Sequence, residues 1–137
     1  MSHAEPLKIS QLATATGAST ETIRYYEQEG LLPPPARSAS NYRLYGDEHI
    51  KRLQFIRHCR SLDMALDEIR QLLSLRDAPD ANCGGVNRLL DVHIEHVATR
   101  IQELQSLRSQ LEQLRAQCGD TRPARQCGIL LELDRSD

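Results

Sequence analysis

A seven-residue apolar repeat in the second half of the chain constrains its fold more than any other feature. Leu90, Val97, Leu104 and Leu111 recur every seven residues, and Cys118 continues the same register. A second seam runs through Ile94, Ile101, Leu107 and Leu114. The pattern predicts one amphipathic helix of coiled-coil type over residues 85–118. Such a helix is ~50 Å long at ~1.5 Å per residue and cannot bury its apolar stripe alone. Cysteines mark its ends: Cys83 precedes it, Cys118 holds its last apolar position, and Cys127 follows nine residues later. Cys83 therefore cannot meet Cys118 within one chain. Antiparallel pairing of two copies sets Cys83 of one protomer beside the partner's Cys118 and the partner's Cys127, whereas parallel pairing leaves them at opposite ends. The spacing predicts an antiparallel homodimer with two shared three-thiolate sites.

Thiolates are soft donors that suit Zn(II), Cd(II), Hg(II) and Pb(II). Residues 119–126 contain no histidine, and tetrahedral zinc sites take a fourth protein donor or a water. Three sulfurs alone suit Pb(II) or Hg(II), and Cd(II) where water or an oxygen of Asp80 or Asp120 joins. The plainer reading makes Cys118 a small hydrophobe on the dimer seam. A rival functional reading closes a disulfide between Cys118 and Cys127, with peroxide as the signal. Cys59, inside IRHCRSL, reads as a buried core thiol, and His49 and His58 as surface or packing residues. His93 and His96 fall on the long helix, His93 near the seam.

Charge is unevenly spread. The chain carries a formal net charge of −2, yet residues 1–62 hold eight Lys/Arg against six Asp/Glu, while residues 63–137 hold nine against thirteen. Arg37, Arg43, Lys51, Arg52, Arg57 and Arg60 concentrate the positive charge between residues 37 and 60. A locally basic segment in an acidic chain points to one anionic partner on one face.

The first half reads as short helices. KISQLATAT puts Ile9, Leu12 and Ala13 on one face, and Gly17 closes the segment. Ser19 or Thr20 then caps a second helix that turns Ile23 and Tyr26 inward and leaves Thr20, Thr22, Arg24 and Tyr25 outside, with Gly30 as its stop. Two short helices joined by a glycine-containing turn form a helix-turn-helix. Three prolines interrupt LLPPPARSASNYRLYGD, and Arg37 to Tyr45 reads as a small hairpin, or wing, around the turn SASN. Its arginines and tyrosines suit phosphate contact. Asp47 caps a third helix to about Leu62, using Ile50, Leu53, Phe55 and Ile56. A fourth from about Leu66 to Leu75 faces Leu66, Ile69, Leu72 and Leu73 inward.

With the order TIRYYE–GLL–R–NYRLY, the segment from KISQLATAT to LDEI resembles the DNA-binding half of the MerR family of transcription regulators. The long helix and Cys83, Cys118 and Cys127 are similar to that family's divalent-metal branch, and RSLDM and RPARQCGIL resemble its lead-responsive members first, its cadmium-responsive members next. The resemblance spans roughly residues 7–133. It implies a mainly α fold: a winged helix-turn-helix domain (1–76), a connecting loop with Cys83 (77–84), an antiparallel coiled-coil dimerisation helix (85–118), and a metal-binding loop with a short C-terminal helix (119–137). It also implies that Thr20, Thr22, Arg24 and Tyr25 enter the major groove of a palindromic promoter operator, and that Arg37, Tyr42 and Arg43, with Arg60 behind them, hold flanking phosphates. Val97, Ile101, Leu104, Leu107, Leu111 and Leu114, with Leu90, would form the dimer seam. The family's members repress weakly without metal. When metal binds they distort the promoter so that RNA polymerase can use it. Pb(II) is the expected signal, ahead of Cd(II), Hg(II) and Zn(II).

Other classes fit poorly. No apolar run approaches the ~18 residues of a membrane span, and no secretory signal is apparent, so a cytoplasmic protein is expected. The chain has no phosphate-binding glycine loop, nucleophile elbow or histidine-metal motif, and an enzyme is not expected.

Overall fold

Gly17 explains how the first two helices are joined. In the computed structural model, which describes residues 5–80 and 82–135, helix α1 (Ile9–Thr16) begins where the Gln11 side chain accepts the Lys8 backbone N–H at 2.8 Å. Gly17 ends it at φ +75°, and its N–H donates to the Ala13 carbonyl at 2.8 Å. This left-handed conformation favours glycine, and a Cβ there would meet the Arg57 guanidinium at 2.7 Å. Helix α2 (Thr20–Gln28) starts at Ser19, whose hydroxyl accepts the Thr22 N–H at 3.1 Å. Gly30, also at φ +75°, turns the chain, so that Leu31 and Leu32 enter the core and donate their N–H groups to the Tyr26 carbonyl.

The wing is a two-residue antiparallel ladder, β1 (Ala36–Arg37) against β2 (Arg43–Leu44), with Ala36 opposite Leu44 and Arg37 opposite Arg43. Its turn is closed by Asn41 at φ 65° and by Ser38, which donates its N–H to the Tyr42 carbonyl at 2.8 Å. Just beyond β2, Tyr45 and Leu7 exchange backbone hydrogen bonds of 2.7 and 2.8 Å, which ties the wing to the start of the chain.

Helix α3 (Asp47–Ser61) and helix α4 (Leu66–Arg76) complete the domain. The cap of α3 is Gly46 rather than Asp47. His49 Nδ1 accepts the Gly46 N–H at 3.1 Å, leaving Asp47 in the first turn, where an acid complements the helix dipole. Leu12, Ile23, Leu31, Tyr45, Leu53, Ile56, Ile69 and Leu73 are fully buried, and Val86 and Leu89 join this core. The first compact unit therefore runs through Leu89, past the loop at 77–84 where the sequence placed its end.

Helix α5 spans Gly84–Arg115, beginning one residue earlier and ending three residues earlier than the sequence pattern predicts. Cys118 thus lies outside the helix. The backbone tightens after Arg115, with Gln117 bonding back to Leu114 and Cys118 to Arg115, and Gly119 follows. Arg115 Nη1 donates to the Cys118 carbonyl at 2.6 Å and clasps the turn that follows the helix. In the second unit (90–137) a 3₁₀ turn (Ala124–Gln126) leads into helix α6 (Gly128–Leu133). Among the described residues no helix is long and apolar enough to cross a membrane.

Candidate nucleic-acid interface and thiol pair

Helix α2 presents Arg24 and Tyr25 to solvent, while Thr20 and Thr22 sit half-buried at its start. The Thr22 hydroxyl accepts from Ser19 Oγ at 2.8 Å, so it is held at the N-terminal edge. Two clefts flank the helix. One, of about 430 Å³, is lined by Lys8, Ser10, Arg24, Arg37, Tyr42 and Arg43. The other, of about 440 Å³, is lined by Gly17, Ser19, Thr22, Tyr26, Arg57 and Arg60. Arg24 of the helix and Arg37, Tyr42 and Arg43 of the wing, predicted from the sequence, thus share one cation-lined cleft, and Thr22 and Arg60 share the other.

The basic stretch divides into cations the fold consumes and cations it leaves outward. Arg52 donates to the Leu31 carbonyl at 2.6 Å and forks onto Asp77 at 2.8 and 3.1 Å, so it joins α3 to the loop after Leu31 and to the end of α4. Its guanidinium holds the Asp77 carboxyl below the usual carboxylate range. Arg76 pairs with Glu48 at 3.0 Å. Arg57 donates to the Thr16 carbonyl and braces the end of α1. Arg60 donates to the Met64 carbonyl at 2.8 Å, which fixes one end of its fork. Arg37 Nη1 donates to the Asn41 carbonyl at 3.3 Å within the wing. Lys8 was not singled out from the sequence, and its ammonium lies 5.7 Å from the Tyr42 ring centroid. Its one sequence signal is a cation placed directly before α1.

The thiols fall into two environments. Cys59 is buried in the first unit's core and burial pushes its thiol pKa up, in keeping with a packing role. Cys83 is exposed and its carbonyl accepts the Asn87 N–H at 3.1 Å, so it sits at the first turn of α5. Cys118 and Cys127 come together in the second unit. The Cys127 thiol pKa is lowered by the backbone N–H groups of Leu130 and Ile129 at the start of α6, by the Cys118 thiol, and by the Arg122 charge. Cys118 Sγ in turn reaches the Asp120 carbonyl at 3.2 Å. Two adjacent sulfurs, one inclined to ionise, form a donor set that fits a soft cation. Arg122 Nε donates to Asp120 Oδ1 at 2.9 Å, so the candidate oxygen donor is paired on one of its two oxygens.

On α5, Ile94, Val97, Ile101, Leu104, Leu107 and Leu111 are between 39% and 63% exposed. That apolar row needs a cover in water. His93 is buried and His96 exposed.

Residues 7–75 match the family described as MerR HTH family regulatory protein, and residues 50–114 match MerR, DNA binding. A ZntR homolog, a helix-turn-helix transcriptional regulator of Haemophilus influenzae, is 53% identical over 109 residues, covering 80% of this chain and 81% of its own. The crystal structure of the transcription regulator PbrR691 from Ralstonia metallidurans CH34 in complex with lead(II) is similar at 51% identity and TM-score 0.81, covering 93% of this chain and 98% of that one. The dual-function transcriptional regulator MerR of Bacillus megaterium MB1, in complex with mercury(II), is similar at 29% identity and TM-score 0.71, covering 94% and 100% of the two chains.

Proposed function

The chain belongs to the MerR family of DNA-binding, metal-responsive transcription regulators, not to an enzyme family, and from that premise we propose that it senses Pb(II) through three cysteine thiolates and activates a promoter it holds as an antiparallel homodimer. The observation that carries the metal half of this reading is the pairing of Cys118 with a Cys127 thiol drawn toward ionisation. Cys118 and Cys127, with Cys83 of the partner subunit, would hold the ion. Bound there, a soft divalent cation supplies a cross-link between protomers and takes the place of the thiol protons. Affinity for it therefore rises with pH.

The DNA half rests on the two cation-lined clefts beside α2. Thr20, Thr22, Arg24 and Tyr25 read the major groove. Arg37, Tyr42 and Arg43 grip the phosphates on one side of it and Arg60 those on the other. The apolar row of α5, Leu90 through Leu114, pairs with its copy. Ligation at the ends of that pair favours one pose of the two DNA-binding heads. The ion shifts the promoter only because it binds one pose more tightly than the other. RNA polymerase is the partner that gains when the heads bend and untwist the operator. The Pb(II)-bound relative supports lead and the mercury-bound relative keeps Hg(II) as an alternative; Cd(II) and Zn(II) stay alternatives because thiolates hold them too.

Titration of reduced, metal-free protein with Pb(II), followed by the ultraviolet thiolate-to-lead band, tests the reading. Saturation near one ion per chain, with the band lost in Cys83→Ser, supports it; a band indifferent to Cys83 sinks the shared site. The nearness of Cys118 and Cys127 also favours a second reading, a thiol–disulfide sensor. In that case peroxide, and not Pb(II), switches transcription, and Cys83→Ser responds like the parent.

A further inference from the structure

One carboxylate sits beside the cations of the wing cleft. Glu27, near the end of α2, accepts a hydrogen bond from the Tyr45 hydroxyl on one oxygen, and Arg43 Nη1 lies 3.9 Å from the other. The Glu27 side chain is 13% exposed and that of Arg43 is 35% exposed. On charge alone this carboxylate is a handicap, since it repels the phosphates that Lys8, Arg24, Arg37 and Arg43 attract.

Its surroundings give it a different use. Tyr45 is fully buried, bridged through its backbone to Leu7, and its ring meets His49 edge-on at 5.1 Å. The phenol hydroxyl is therefore a fixed point of the core. Arg43 stands on a ladder of only two residue pairs, and a two-stranded hairpin holds its own geometry poorly. Glu27 joins the fixed point to the arginine, and it does so from the same helix that bears Arg24 and Tyr25.

We propose that Glu27 is a positioning residue: it locks the wing to helix α2 and holds the Arg43 guanidinium ready for a DNA phosphate. The proposal rests on reading Arg43 as a phosphate contact. It makes a sign prediction that opposes the charge effect. Glu27→Gln keeps an acceptor for the Tyr45 hydroxyl but releases Arg43. If charge alone mattered, removing the carboxylate would tighten DNA binding; loss of positioning weakens it.

The test uses the full-length reduced protein and a labelled duplex of random sequence, because a phosphate contact is read without regard to sequence. Binding is measured across a salt series for the parent, Arg43→Ala, Glu27→Gln and the double variant, with thermal melts alongside. Arg43→Ala is expected to weaken binding several-fold and to lower the salt slope by about one. Glu27→Gln is expected to weaken binding several-fold in the parent and to tighten it slightly in the Arg43→Ala background. Tightening in both backgrounds overturns the proposal in favour of simple repulsion. Equal weakening in both overturns it in favour of a purely structural role. No effect of Arg43→Ala on binding overturns the phosphate reading beneath it. If Glu27→Gln melts early, Tyr45→Phe removes the anchor with the charge intact. Its weakening of DNA binding must then also vanish without Arg43, and persistence there overturns the proposal.

Discussion

Leu104→Ala is a sharp perturbation of the proposed dimer seam, because its size follows from exposure. Leu104 is 47% exposed on α5. Full burial of a leucine side chain is worth roughly 1.5–3 kcal/mol, so covering its open half contributes about 1 kcal/mol. Truncation to alanine loses that and leaves a cavity in the packed seam, which adds about as much again. Twofold symmetry counts each substitution twice, so the dimer weakens by about 4 kcal/mol, close to a thousandfold in Kd. Glu103→Ala is the control. Glu103 pairs with Arg100 at 3.2 Å in an exposed i,i+3 contact, and such pairs are worth roughly half a kcal/mol or less. Sedimentation equilibrium over a dilution series reads both variants. Dissociation of Leu104→Ala at concentrations where the parent and Glu103→Ala remain dimeric is expected. Equal behaviour of all three would refute the assignment of this row to a self-pairing interface.

Three further outcomes are expected. The Tyr45 phenol has its pKa raised from 10.0 to about 12, first by burial and then by Glu27. The native state therefore keeps a proton the unfolded state gives up, and this contribution is complete below pH 10.0 and lost as pH rises to about 12. Two pKa units correspond to roughly 2.7 kcal/mol, so urea midpoints of the parent should fall across that window more than those of Tyr45→Phe; parallel falls would contradict it. Gly17→Ala should cost more than Gly30→Ala in thermal unfolding. Both positions carry φ +75°, worth about 1 kcal/mol, but only at Gly17 does a Cβ meet Arg57 at 2.7 Å. Equal losses would remove the Arg57 brace from the description. In the apo protein Cys127 should react with a thiol-alkylating reagent faster than Cys83 at neutral pH, since its thiol is drawn toward ionisation; mass mapping of the first-labelled site checks this.

Local grammar made much of the first unit legible. Glycines at 17 and 30, serine at 19 and the prolines after Leu32 are positional signals: α1 ends just before Gly17, α2 begins just after Ser19, and α2 has ended by Gly30. The heptad repeat likewise exposed α5, but periodicity does not register where a helix stops. The apolar register carried on to Cys118, while the backbone turned after Arg115 under a side-chain clasp that only coordinates reveal. Charge counting had a similar blind spot. Arg52, Arg57 and Arg43 look alike in sequence, yet Arg52 and Arg57 spend their hydrogen bonds inside the fold and Arg43 faces the cleft. Glu27 escaped notice because its partner Tyr45 lies eighteen residues away. The sequence already set Cys118 and Cys127 together, but not the 3₁₀ turn at 124–126 that lies between them.

The central claim, a thiolate site shared across an antiparallel dimer, is tested most directly by subunit mixing. Cys83→Ser protein and Cys118→Ser/Cys127→Ser protein are each titrated with Pb(II), then unfolded together, refolded and titrated again. Each variant alone should give no three-sulfur band, and the mixture should regain it, because the mixed dimer rebuilds one complete site. A mixture as silent as its parents, with mixed dimers demonstrated by mass spectrometry, would contradict the shared site.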